Sequence, residues 1–80
     1  MGDVKEDKLL DASGLSCPMP VVKAAKEMRG LAPGQVLKIV ATDRGSVADI
    51  PAWAEDTGNE MLQSTIDGDR YVFLVRKGTS

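Results

Sequence analysis

Three features of the sequence predict an α+β fold, a βαβαββ two-layer sandwich whose mixed four-stranded sheet carries two helices packed on one face. First, 80 residues with 42% hydrophobic and 28% charged content make the composition of one compact domain, too short to divide between two cores. Second, the apolar residues switch along the chain between strand-like runs and helical spacing in the order strand, helix, strand, helix, strand, strand. Third, the last two strand-like runs are joined by Asp67-Gly68, a hairpin signal, so a strand–helix–strand unit is followed by a helix and a hairpin. A single domain over 1–80 is expected, with 1–7 and 78–80 disordered. A chain of this size buries only about 60% of its unfolded surface, which leaves little interior for an enclosed substrate cavity. Its chemistry should sit at the surface.

Leu9 to Ala12 is a short apolar stretch stopped by Ser13-Gly14, as a brief strand entering a loop would be. Pro18 and Pro20 follow. Val21, Val22, Ala25 and Met28 then recur at helical spacing, with Lys23, Lys26, Glu27 and Arg29 on the other faces, and the helix should end near Gly30. Leu31-Ala32-Pro33-Gly34 is a turn, and Gln35 to Thr42 is rich in β-branched residues and reads as a central strand. After Asp43-Arg44-Gly45-Ser46, the residues Ile50, Trp53, Ala54 and Thr57 predict a second helix that stops at Gly58. Pro51 is expected in its first turn, where a missing N–H costs little, with Asp49 or alternatively Ser46 as N-cap. Met61 to Ile66 and Arg70 to Arg76 form the hairpin strands, with Asp67-Gly68 supplying the positive φ angles of a type I′ turn. Trp53, Met28, Met61, Tyr71 and Phe73 fall at core or near-core positions. Asp67 and Asp69 flank the hairpin glycine, so turn formation accounts for them without catalysis.

Ten Lys and Arg against twelve Asp and Glu, intermixed and with a net charge of −2, give no concentrated positive face for nucleic acid. One cysteine excludes an internal disulfide framework or a dithiol pair, and the absence of histidine removes a Cys–His nucleophile. Neither a cofactor nor a metal site is expected. The polar N-terminus lacks a signal-peptide pattern and no apolar run has membrane-spanning length, so a cytoplasmic, non-membrane protein is expected. No oligomer signal is present, and a monomer is the default expectation.

The one cysteine, Cys17, lies in Cys17-Pro18-Met19-Pro20. Proline is favoured at the first helical position, so Pro18 should place Cys17 at or next to the N-cap of the first helix. Unpaired amides and the helix dipole there favour a thiolate. Because the prolines have no N–H, the amides of Met19 and Val21 are the expected donors, with Lys23 and Lys26 adding diffuse positive charge. A lone cysteine beside a helix start is also compatible with a small buried hydrophobe. The Gly14-Leu15-Ser16 loop and the two prolines favour an exposed, rigid thiol instead.

The stretch from Leu10 to Pro20, with Lys23 and Lys26 after it, closely resembles the Cys-Pro-x-Pro signature of the TusA-like (SirA-like) sulfur carrier family. The similarity continues through Gly34, Thr42-Asp43, Asp49-Ile50-Pro51, Gly58 and the hairpin ending Arg76-Lys77-Gly78, and so covers nearly the whole chain. Cys-Pro-x-Pro alone would be a weak pattern; the combination is specific. The resemblance implies a persulfide on Cys17. It also implies a sulfur-donor protein, a cysteine desulfurase or a rhodanese-like protein, and a sulfur-acceptor protein serving tRNA thiolation, molybdoenzyme maturation or sulfur oxidation. A carrier of this kind accepts sulfur as a thiolate nucleophile and releases it with the same thiolate as leaving group. The chain departs from many relatives at Asp43-Arg44-Gly45-Ser46, where they have proline after the aspartate. Loops after adjacent parallel strands emerge at one sheet edge, which brings Arg44 near Cys17, either as an anion contact or equally as an ordinary loop charge. Met19 is either an apolar docking contact or a simple packing residue, and Lys23, Lys26 and Arg29 are either a docking face or an ordinary solvated helix face. The alternative functions are a non-enzymatic partner-binding or regulatory module of the same fold and, ranked below it, a thiol redox sensor.

Overall fold

The computed structural model describes residues 5–78. Its elements are β1 (Lys8–Ala12), α1 (Met19–Arg29), β2 (Val36–Ala41), α2 (Ser46–Asp56), β3 (Glu60–Asp67) and β4 (Arg70–Arg76), the order expected from the sequence. The four strands form one sheet in the order β1-β2-β4-β3. β1 and β2 are parallel, while β2–β4 and β3–β4 are antiparallel, so the β-branched run of β2 lies between two neighbours.

Alternation along the strands sorts the side chains into rows across the sheet. Leu10, Ile39 and Phe73 are aligned in one row and Leu37 and Val75 in another, all buried against the helices. The helices meet them with matching stripes at i, i+4 and i+8: Pro20, Ala24 and Met28 on α1, and Ser46, Ile50 and Ala54 on α2. Met28 and Phe73 join the core, and Trp53, Met61 and Tyr71 pack partly buried against it.

α2 starts earlier than Pro51 predicts. The turn at Asp43–Ser46 winds directly into the helix, with Ser46, Val47 and Ala48 donating to the carbonyls of Asp43, Arg44 and Gly45. The N-cap is Gly45, so neither Asp49 nor Ser46 caps the helix, and Pro51 sits inside it. Its missing N–H leaves the carbonyl of Val47 without the usual partner, and burial of Ile50 and Ala54 holds the helix through that gap. The far end follows expectation. Gly58 has φ +76°, its N–H donates to the Glu55 carbonyl, and Asn59 N–H donates to that of Ala54 at 2.8 Å, the paired bonds of a Schellman stop.

The hairpin is shifted by one residue from the expected type I′ turn. Asp67 pairs with Arg70, which makes Gly68 and Asp69 the loop residues, and only Gly68 has positive φ (+65°). Glycine at the first central position is the type II′ pattern, which matches strand twist as well as I′ does.

Of the ends expected to be disordered, 1–4 and 79–80 lie outside the described residues. Asp7 N–H donates to the Val36 carbonyl and its Oδ2 accepts from Val36 N–H, and Gly78 N–H donates to Asn59 Oδ1, so the ordered chain extends beyond the strands on both sides.

Phe73 is the largest fully buried side chain. Phe73→Ala is expected to cost about 3–5 kcal/mol, a large part of the roughly 4–12 kcal/mol available to a chain of this length. Urea unfolding followed by circular dichroism would read this as a lower midpoint at unchanged slope; a loss below about 1 kcal/mol would remove Phe73 from the centre of the core.

Candidate functional site

Parallel pairing of β1 with β2 brings the β1–α1 and β2–α2 loops to one sheet edge. The first loop is pinned at three points. Ser13 N–H donates to Asp11 Oδ1 at 3.0 Å, Gly14 N–H donates to Thr42 Oγ1 on the neighbouring loop at 2.9 Å, and Leu15 packs against the core. Gly14 makes this path with φ +81°, in the left-handed region that glycine enters at no steric cost. Pro20, fully buried, anchors the start of α1. Between these anchors Cys17 stands exposed, one residue before the N-cap Pro18, and its peptide bond to Pro18 is cis.

Across the edge lies a constellation that the sequence does not announce. Cys17 Sγ donates a hydrogen bond to Oδ2 of Asp49, a residue 32 positions away on the first turn of α2. Asp43 lies on the same side, with a buried Oδ2 that has no hydrogen-bond partner among the described residues. Gly45 supplies the room: a Cβ at that position would lie 2.9 Å from Asp43 Oδ2 and 3.5 Å from Cys17 Cβ.

The electrostatics reverse the expected bias. The thiol pKa is raised above its ordinary value, first by the hydrogen bond to Asp49, then by desolvation, and then by the negative charges of Asp49 and Asp43. Of the two expected amide donors, Met19 and Val21, the N–H of Met19 is taken up by the Ser16 carbonyl at 2.9 Å. Lys23 and Lys26 are exposed on α1 and lower the pKa of Glu27, after the larger effects of its Lys8 partner; the charges acting on the thiol are those of the two aspartates. Arg44 is exposed in the turn next to Gly45, and the Gly45 position lies close to Cys17. The shared-edge reasoning, carried five residues further to Asp49, would have pointed to the hydrogen-bond partner.

Exposed apolar side chains lie on the first turns of both helices. Met19, next to Pro18, is 41% exposed and Val47 is 40% exposed. A shallow hollow of about 360 Å³ is lined by Pro18, Val21, Asp49, Ala52, Trp53 and Asp56. A longer groove of about 520 Å³ between the helices shares Val21 and Trp53 with it.

Fold and site together define a small βαβαββ domain that presents a single cysteine at a two-loop edge. The sequence model of the family described as Sulfurtransferase TusA matches residues 8–77. The chain is 48% identical over 71 residues to the sulfur carrier protein TusA of Allochromatium vinosum, covering 89% of this chain and 93% of that protein. It is 45% identical over 75 residues to the putative sulfur carrier protein YrkI of Bacillus subtilis, covering 94% of this chain and all of that one. The crystal structure of a SirA-like protein from Desulfitobacterium hafniense superposes with a TM-score of 0.72 at 27% identity, covering 89% of this chain and 97% of the other. This chain belongs to the TusA family.

Two outcomes test the site. Asp49→Asn removes the charged acceptor, so the midpoint of the pH profile of Cys17 alkylation by iodoacetamide should move to lower pH and the rate at neutral pH should rise. An unchanged or higher midpoint would show that Asp49 does not govern the thiol. Gly45→Val should retain the fold, since Gly45 has an ordinary helical φ of −62°, yet displace Asp43 and Cys17 and alter the same profile. A profile matching wild type would mean that the close approach at Gly45 is not needed.

Proposed function

We propose that the protein is a sulfur carrier that accepts sulfane sulfur as a persulfide on Cys17 and hands it to an acceptor protein. The observation that carries this reading is the exposed lone thiol at a pinned loop edge, in a chain of the TusA family. With no second cysteine in the sequence, a loaded persulfide has no internal thiol to discharge it, and the sulfur leaves only to another molecule.

Loading conserves atoms and electrons. The Cys17 thiolate attacks the outer sulfur of a donor persulfide, the donor's S–S bond breaks, a new S–S bond forms on Sγ, and the donor cysteine departs as thiolate. In this sense the protein is a sulfurtransferase whose substrate is carried covalently. Because its thiol is held protonated by Asp49 and Asp43, docking of the donor must help to ionise it. The donor is a cysteine desulfurase or a rhodanese-like protein, and the acceptor serves tRNA thiolation, molybdoenzyme maturation or sulfur oxidation. Pro18 and Pro20 fix the thiol's presentation, Met19 adds apolar docking contact, and Lys23 and Lys26 border the docking face. Arg44 offers a cation to an anionic sulfur cargo. No helix among the described residues is long and apolar enough to cross a membrane, and exchange between protein thiols suits the reducing cytoplasm.

The experiment is intact mass spectrometry of the reduced protein after incubation with a cysteine desulfurase and cysteine, and separately with a rhodanese and thiosulfate. The expected result is a gain of one sulfur, about 32 Da, removed by dithiothreitol and absent from a folded Cys17→Ser variant. Loading that survives in Cys17→Ser, or no adduct from either donor, would sink this reading.

A further inference from the structure

On the carrier reading above, Cys17 alternates between an empty thiol and a persulfide, and the acidic groups beside it act on the two states in opposite ways. In the empty state Sγ bears a proton and donates it to Asp49 Oδ2. After loading, Sγ is bonded to a second sulfur and has no proton to donate. A perthiol is a stronger acid than its parent thiol, because the charge rests on a terminal sulfur bonded to another sulfur, so the loaded residue is an anion at neutral pH. That anion meets like charge from Asp49 on α2 and Asp43 on the β2–α2 turn. From α1, the residues Met19 to Val22 bring no charged side chain, and Lys23 lies a turn away; Arg44 is exposed on the turn.

We propose that Asp49 is a positioning residue that keeps the carrier's hold on sulfur weak: its hydrogen bond stabilises the empty thiol, and its charge destabilises the loaded persulfide. Both contributions drive exchange towards release. In that exchange an acceptor thiolate attacks the outer sulfur, the Sγ–S bond breaks and a new S–S bond forms on the acceptor. Sγ departs with the bonding electron pair and takes up the proton that the acceptor thiol gave up, so no oxidant or reductant is consumed. The proton comes to rest where Asp49 accepts it. The thiol is therefore drawn towards α2, while the persulfide turns away from it, outward to the face that a partner reaches.

The test is sulfur exchange at equilibrium between the reduced protein and a mixture of glutathione and glutathione persulfide at neutral pH. The loaded fraction is read by intact mass for wild type, Asp49→Asn and Asp49→Glu, with a melting temperature for each. Asp49→Asn should raise the loaded-to-empty ratio by about threefold, Asp49→Glu should bring it back towards wild type, and high salt should narrow the gap by screening the charge. Equal ratios in folded wild type and Asp49→Asn would overturn the proposal and leave the carrier reading standing. A wild type that takes up no sulfur would overturn the carrier reading itself. Should Asp49→Asn fail to fold, Asp43→Asn removes charge alone; a smaller rise in the same direction supports the proposal and an unchanged ratio overturns it.

Discussion

The parallel pairing of β1 with β2 is the constraint from which the rest of the molecule follows. A chain can make that pairing only by crossing over the sheet, and here α1 is the crossover, so both strands point their C-terminal ends the same way. Everything chemically distinctive then collects at one edge: the loop bearing Cys17, the turn bearing Asp43 and Gly45, and the first turn of α2 bearing Asp49. The Gly14–Thr42 hydrogen bond stitches the two loops together, and burial of Pro20 and Leu15 fixes the thiol's loop from beneath. Rigidity at this edge comes from the fold, because a domain of this size has no deep cavity in which to organise a site.

Opposing electrostatic effects meet at the thiol, and the acidic ones prevail. A helix N-terminus helps an anion only through amides that are free to point at it. Two prolines and the Met19–Ser16 bond leave few of these, whereas Asp49 makes direct contact. A neutral, hydrogen-bonded thiol is slow to be alkylated or oxidised, since the thiolate is the reactive form. For a carrier between partners, that is protection while empty.

Most of the architecture was legible in the sequence because it rests on local periodicity. β4 reads with its observed limits and β1, β2 and β3 to within one residue at each end, and α2 buries the indicated Ile50 and Ala54, whereas α1 buries Pro20, Ala24 and Met28, so that of its indicated residues only Met28 is buried and Val22 is exposed. The misreadings share a cause, which is that local rules were applied where tertiary structure decides. Pro51 belongs in a first turn by its own preference, yet the turn at Asp43–Ser46 winds into α2 ahead of it and Ile50 is buried there. Asp67-Gly68 fits an I′ turn by composition, but the β3–β4 register centres the loop on Gly68-Asp69. Cys17 was found from its neighbours in sequence, while its hydrogen-bond partner lies 32 residues on and is set by topology. A helix-dipole argument made from α1 alone could only point to a thiolate.

The fold holds the empty Cys17 thiol protonated against Asp49. The most direct measurement is an ultraviolet titration of thiolate absorbance in the isolated, reduced wild-type protein, in which Cys17 is the only cysteine. The expected midpoint lies above the free-cysteine value of about 8.5. A midpoint at or below neutrality would contradict it, and would return the helix N-terminus to control of the thiol.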